Sequence, residues 1–359
     1  MNQRLNSIMK PVRAGVVALV AIAGAAVFTG TIAIAASSKP NWRLVKPQPV
    51  AITATPIASF SKVSDTAKHG RLVWRGGLVL SAEIATFGGF SGITLSADGR
   101  DLLAVSDAGG WLKARIDYAK GRPTGVSAAS LGAILARDGK PLRRNRDRDA
   151  EGIALANGTL AKGEVLIAFE QNNRIVRYPV TNGVLGQPLK VTGPPPGLRK
   201  SARNGMEAIT VMKGGPFKTR TVAFSEHAGD NGRHAGWMWT GDKPLPLSIV
   251  SHGGFALTAA ASLPDGTLLL LERRFTIFEG VRMRMRRIDP TAVKPGAVLD
   301  GDVLLEADMS DEIDNMEGLA VHTDANGDTV LTLISDDNFN RILQRTLLLQ
   351  FTLPPRPPS

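Results

Sequence analysis

Apolar and polar positions alternate along most of this chain in short runs, broken every few residues by Gly, Asn or Asp. Such runs predict β-strands joined by tight turns, and little of the chain carries the 3.6-residue spacing of an amphipathic helix. When the runs are aligned, a unit recurs. Phe90-Ser91-Gly92-Ile93 precedes Leu102–Asp107, and Asp149-Ala150-Glu151-Gly152 precedes Val165–Glu170. Asn204-Gly205-Met206-Glu207 precedes Val222–His227, Ala259-Ala260-Ala261 precedes Leu268–Glu272, and Asn315-Met316-Glu317-Gly318 precedes Val330–Asp336. The unit starts lie about 50–60 residues apart, the spacing expected of propeller blades.

Each unit opens with a small-residue strand, turns through a polar segment such as Pro264-Asp265-Gly266, and continues into a strongly apolar strand that ends in an acid. Small residues suit an innermost strand crowded at an axis, and continuous apolar runs suit a strand buried on both faces. The expected fold is therefore all-β: a β-propeller of five or six four-stranded blades. Leu72–Leu80 has no first-strand signature and is expected to supply the outer strand of the last blade, closing the ring. A β-sandwich or two stacked β domains is the competing architecture.

An antiparallel hairpin places the start of its first strand and the end of its second at one edge. The repeat thus collects Asp107, Asp149, Glu151, Glu170, Glu207, Glu226, His227, Glu272, Arg273, Glu317, Asp336 and Asp337 at one rim of the channel. Asn172, Arg174, Asn338 and Arg345 are interleaved with them. Crowded carboxylates raise one another's pKa or recruit a cation. With no Cys and only five His in the chain, the donors are oxygen atoms, which favour a hard cation: calcium first, magnesium second. The expected metal ligands are Asp149, Glu151, Glu207, Glu317 and Asp336. Glu207, His227 and Asp107 are the expected proton-transfer groups. Arg174, Arg273, Arg345 and Asn338 are expected to hold an anionic substrate.

The termini and composition set the compartment. Arg4, Lys10 and Arg13 precede the uncharged stretch Ala14–Ala36, and Ala33-Ile34-Ala35 supplies small residues for cleavage. Residues 1–35 read as an export signal, or as an uncleaved membrane anchor; a membrane is a partner only in the second case. Residues 36–68 read as a linker or arm, 69–353 as the propeller, and 354–359 as a Pro-rich tail. The formal charge of +11 falls to +8 without the signal, which carries three basic residues and no acid. Export makes nucleic acid an unsuitable partner for that charge. A chain with no Cys fits a periplasmic or secreted monomer that stands without disulfides.

The units Asp149-Ala-Glu151-Gly-Ile-Ala, Asn204-Gly-Met-Glu207-Ala-Ile and Asn315-Met-Glu317-Gly-Leu-Ala carry a resemblance, joined by Phe90-Ser-Gly92-Ile and Ser335-Asp-Asp-Asn338-Phe. Together they resemble the exported bacterial phytase-like domain family, named for an esterase-like activity of phytase, over about Leu72 to Phe351. The resemblance implies a propeller and a hydrolase of phosphate or carboxylic esters. The fourth unit departs from the pattern, because Ala259–Ala261 holds no acid.

The chain contains no G-x-S-x-G elbow, no H-E-x-x-H and no Walker A loop. A conventional Ser-His-Asp esterase is therefore not expected, and Ser91 with His227 stays open as a nucleophile–base pair. Asp324–Asp328 reads as an Asn-Gly hairpin turn rather than a calcium loop. Arg282–Arg287 alternates Arg with Met and reads as an exposed outer strand, while Arg143–Arg148 reads as a solvated or substrate-steering loop. Two functions follow: a metal-assisted esterase or phosphatase acting on a small anionic ester, or a non-catalytic propeller binding a ligand, envelope polymer or partner protein.

Overall fold

A computed structural model describes residues 39, 40, 42, 46–198 and 205–356. The apolar N-terminal segment and Asn204 lie outside the described residues. Among those described, no helix is long and apolar enough to cross a membrane.

The N-terminal arm carries β1 (Gln48–Pro49), β2 (Thr53–Ile57), β3 (Lys68–His69) and β4 (Leu72–Ser81). The first blade is built from β5 (Phe90–Leu95), β6 (Asp101–Ser106), β7 (Gly110–Ala119) and β8 (Arg122–Ala133), with β1 on its outer edge. The second contains β9 (Ala150–Gly158), β10 (Lys162–Phe169) and β11 (Arg174–Thr181), edged by β12 (Val184–Leu185) and β13 (Lys190–Thr192). The third is β14 (Met206–Val211), β15 (Thr221–Ala228), β16 (Arg233–Thr240) and β17 (Lys243–Val250), flanked by β21 (Val298–Leu299). The fourth is β18 (Ala256–Ser262), β19 (Leu268–Thr276), β20 (Gly280–Ile288) and β22 (Asp302–Ala307). The fifth joins β23 (Met316–Thr323), β24 (Thr329–Ser335) and β25 (Thr346–Leu353) to β4, with β2 and β3 beyond. The described residues thus form a five-bladed β-propeller whose sheets hold five, five, five, four and six strands rather than a uniform four. A four-residue helix, Asn145–Arg148, interrupts the pattern.

Packing between blades explains the composition of the first two strands. The core divides into five apolar clusters, one between each pair of neighbouring blades, including the pair formed by the fifth and the first. Second strands face a neighbour on both sides, so Leu268 to Leu271 are all fully buried. First strands touch one another around the axis. A Cβ on Gly152 would lie 2.5 Å from the Glu207 carbonyl oxygen, and one on Gly92 would lie 2.9 Å from that of Glu151. Gly152→Ala is expected to cost about 1–3 kcal/mol by forcing two strands apart. Gly193→Ala, where the methyl group meets open space, is expected to leave the thermal midpoint unchanged.

The Arg-Met alternation has a different meaning from the one expected. β20 buries both faces: Met283 and Met285 enter the core, while Arg284 and Arg286 are also buried and clasp Glu272. An Arg face can be buried only against an acid, and Glu272, fully buried, is that acid.

Candidate metal and ester site

Every first strand carries a β-bulge at the same place. Pairing skips one residue between Phe90 and Gly92, Ala150 and Gly152, Met206 and Ala208, Leu257 and Ala259, and Met316 and Gly318. The unpaired residues are Ser91, Glu151, Glu207, Thr258 and Glu317. A bulge re-aims a side chain and ends regular pairing, a device common beside active sites.

Second strands supply the other half. Just beyond the last pair, backbone N–H groups donate to the start of the facing strand: Asp107 to Gly89 (2.9 Å), Glu170 to Asp149 (3.1 Å), Glu226 to Gly205 (3.0 Å) and Asp336 to Asn315 (2.8 Å). The register puts Arg273 at this position in the fourth blade, one residue past the Leu257–Glu272 pair. Glu272 therefore belongs to the blade interior and not to the rim where the sequence suggested it, and Arg273 stands in the ring of acids.

The ring is strongly unbalanced. Asp107, Asp149, Glu151, Glu170, Glu207, Glu226, Glu317 and Asp336 face two full cations among the described residues, Lys39 and Arg273. The Lys39 Nζ lies 2.8 Å from both Asp107 and Asp149. Arg273 donates to the Asn315 side chain at 2.6 Å and to Glu226 at 3.2 Å, and lies 3.5 Å from Glu317. The Asn315 amide also donates to Glu317, at 2.8 Å. Asp336 is turned back on its own loop, accepting the Asn338 N–H at 2.6 Å. Neither Glu151 nor Glu207 makes a hydrogen bond or ion pair among the described residues. One carboxylate oxygen of Asp107 is buried without a hydrogen-bond partner among the described residues.

Burial and mutual repulsion push these acids upward. Burial, then the charge of Asp149, holds the Glu151 carboxyl well above the usual range; for Glu207, burial and then Glu151 do the same. Asp336 is raised well above its ordinary value by burial and then Glu317. Glu170 reaches about 7, through burial and then Asp149. Glu226 is the exception: burial would raise it, yet the hydrogen bond and charge of His227 and the charge of Arg273 bring it below the ordinary value. The same contact, 3.0 Å between the His227 Nε2 and Glu226, raises the imidazole.

Two sets of donors converge closely enough for one ion each. Oxygen atoms of Asp149, Glu151 and Glu170 lie within 4.8 Å of one another, and so do those of Glu170, Glu207 and Glu226. Glu170 is common to both. The structure therefore brings together Asp149, Glu151 and Glu207 of the expected ligands and adds Glu170 and Glu226. It holds Glu317 on Arg273 and Asn315, and Asp336 on its own turn. Of the expected substrate-binding groups, Arg174 lines a cavity beside Glu170 and His227. Arg273 is engaged in the ring, Arg345 pairs with Glu312 at 2.8 Å, and the Asn338 side chain donates to Gln344. The Ser91 hydroxyl donates to the Gly89 carbonyl, at 3.4 Å. Asp324 accepts the N–H groups of Asn326 and Asp328, as a hairpin turn does.

A profile of the family described as "Esterase-like activity of phytase" matches residues 85–339, most of the chain. The chain belongs to the phytase-like family. No curated protein sequence matches it. Among solved structures, "Structure of U3-55K" is similar at 9% identity and a TM-score of 0.37, covering 73% of this chain and 95% of its own. "Crystal structure of RRP9 WD40 repeats" is similar at 10% identity and 0.35, with 74% and 81% covered. Likeness that weak adds nothing to a functional reading.

The phytase-like match covers all five bulges and both sets of converging acids. Lys39 lies upstream of it, in a Ser- and Pro-rich segment whose sequence carries no signal of a role at the rim.

Proposed function

We propose that this phytase-like chain is an exported hydrolase of small anionic esters, phosphate or carboxylic, that works with divalent cations held by its acid ring. The observation that carries the reading is the imbalance of the ring: among the described residues, eight carboxylates against two full cations, with two overlapping oxygen-donor sets. Left alone, such a cluster must keep protons on several members. All-oxygen donors on rigid strand ends fit calcium, whose six to eight ligands are carboxylates, carbonyls and water. Asp149, Glu151, Glu170, Glu207 and Glu226 are the residues that would hold it. When bound, the cation supplies a polarised ester oxygen and a water of lowered pKa.

The chain's own groups divide the proton work. Glu207, raised and without a hydrogen-bond or ion-pair partner among the described residues, takes a proton. His227, whose affinity for a proton is raised by Glu226, gives one to the leaving group. Arg174 holds the anionic end of the substrate. The reading includes a ring closed through the N-terminal segment, supported by the pairing of β4 with β25 from Thr346–Leu80 to Thr352–Val73. Export rests on residues 1–35.

A panel of phosphate monoesters and carboxylic esters, assayed with and without chelator, tests the proposal. Turnover that disappears in chelator and returns with calcium is expected. Undiminished turnover in excess chelator, or none with any ester and any divalent cation, would overturn it, the second result leaving a propeller that only binds.

A further inference from the structure

A cavity of about 1190 Å³ opens beside the acid ring, lined by the second blade, the segment leading into it and His227 of the third. Its wall is shared with the site: Glu170 and His227 line it. The remainder divides into two kinds of surface. Arg137, Arg146 and Arg174 bring positive charge, and Leu142, Val176 and Val191 bring apolar surface. Val191 is 53% exposed, so the apolar side is open to an incoming molecule.

Arg174 is fixed before any ligand arrives. Its guanidinium lies 3.9 Å over the Phe169 ring, and its Nη2 donates to the Asp147 carbonyl. The Nη1 is buried and has no hydrogen-bond partner among the described residues. Leaving such a donor unpaired costs free energy, and an anion accepting from it recovers that cost. Inorganic phosphate would satisfy the arginine but leave the apolar wall uncovered. A densely phosphorylated polyol would press charge against that wall. A molecule with one anionic group and an aryl- or alkyl-sized body matches both surfaces.

We infer that this cavity receives the organic body of the substrate, and that the preferred class is an anionic monoester with an apolar, aryl-sized group. The inference rests on the hydrolase reading for its chemistry, but its binding element stands apart. Arg174 fixes the anion, Val191 and Leu142 cover the ring, and the ester bond lies toward Glu170 and His227.

The test uses calorimetry with phenylphosphonate and methylphosphonate, whose carbon–phosphorus bonds this chemistry does not cleave, on the full purified chain. Phenylphosphonate is expected to bind at least tenfold more tightly, because burying a ring in an apolar wall far exceeds burying a methyl group. Val191→Trp fills the open side and is expected to weaken phenylphosphonate about tenfold, with methylphosphonate changed less than twofold. Arg174→Met keeps the stem over Phe169 and is expected to weaken both about tenfold. Thermal midpoints establish that the variants are folded. The preference is expected in chelator as well as in calcium, since neither residue is among the metal-holding acids. Equal affinities for the two phosphonates, no binding of either, or an unchanged preference in folded Val191→Trp would overturn the inference. Selective binding without turnover of any phosphate or carboxylic ester, with any divalent cation, would overturn the hydrolase reading alone. Turnover without selectivity would overturn this inference alone.

Discussion

Glu207→Gln is expected to lose at least a hundredfold in kcat while retaining the fold and its thermal midpoint within a few degrees. Glu207 sits on a bulge, so its side chain supports no strand pairing. It has no hydrogen-bond or ion-pair partner among the described residues whose loss would destabilise the blade. Gln keeps the shape and removes both the anionic ligand and the proton acceptor. General base catalysis alone contributes about 10²–10⁴-fold. Measuring kcat with and without saturating calcium checks it. Activity within a few-fold of the parent in the folded variant would remove Glu207 from the chemistry.

The second large effect is on stability, and its sign reverses with metal. Glu170 has a folded-state value of about 7 against an ordinary 4.5. Its raised value means the folded protein holds the proton more tightly than the unfolded chain. The stability this contributes is fully present below 4.5 and is lost as pH rises through 7. Without metal, wild type is therefore expected to lose stability relative to Glu170→Gln between pH 4.5 and 7, and Glu170→Gln to be the more stable at pH 8. His322, lowered to about 4 by burial, acts in the opposite sense between 6.5 and 4, but it cancels in the difference because both proteins carry it. Saturating calcium should reverse the order at pH 8. A ligand at a hundred times its Kd adds about 2.7 kcal/mol to the protein that binds it. Parallel pH profiles of the thermal midpoint in chelator and in calcium provide the measurement. Profiles that superimpose for the two proteins would contradict the electrostatic description of the ring.

Much of this was legible in the residues. Inner strands announce themselves through small residues such as Gly92 and Gly152, because neighbouring backbones leave no space for a Cβ. Second strands announce themselves through apolar runs such as Leu268–Leu271. The acids at each unit's start and end locate the rim, because hairpin geometry sends them to one edge.

Three features were not legible, each for a physical reason. The bulge shifts register by one residue, so the sequence cannot tell that Glu272 turns inward and Arg273 takes the rim position. Which acids converge depends on how neighbouring blades lean together, and Glu170 links two donor sets only in three dimensions. Lys39 reaches Asp107 and Asp149 from far along the chain, in a segment without periodicity. The Arg-Met strand misleads for a related reason: period-two patterning gives the two faces of β20 but not what covers them.

Calcium titration of the metal-free protein by calorimetry at pH 8, in parallel with Glu170→Gln, tests the central claim most directly. If the acid ring is a cation site, the wild type binds calcium with release of protons, because raised carboxyls must give them up, and Glu170→Gln binds at least tenfold more weakly. A wild-type protein that takes up no calcium, magnesium or other divalent cation while folded, or a variant that binds as tightly as its parent, would contradict the account.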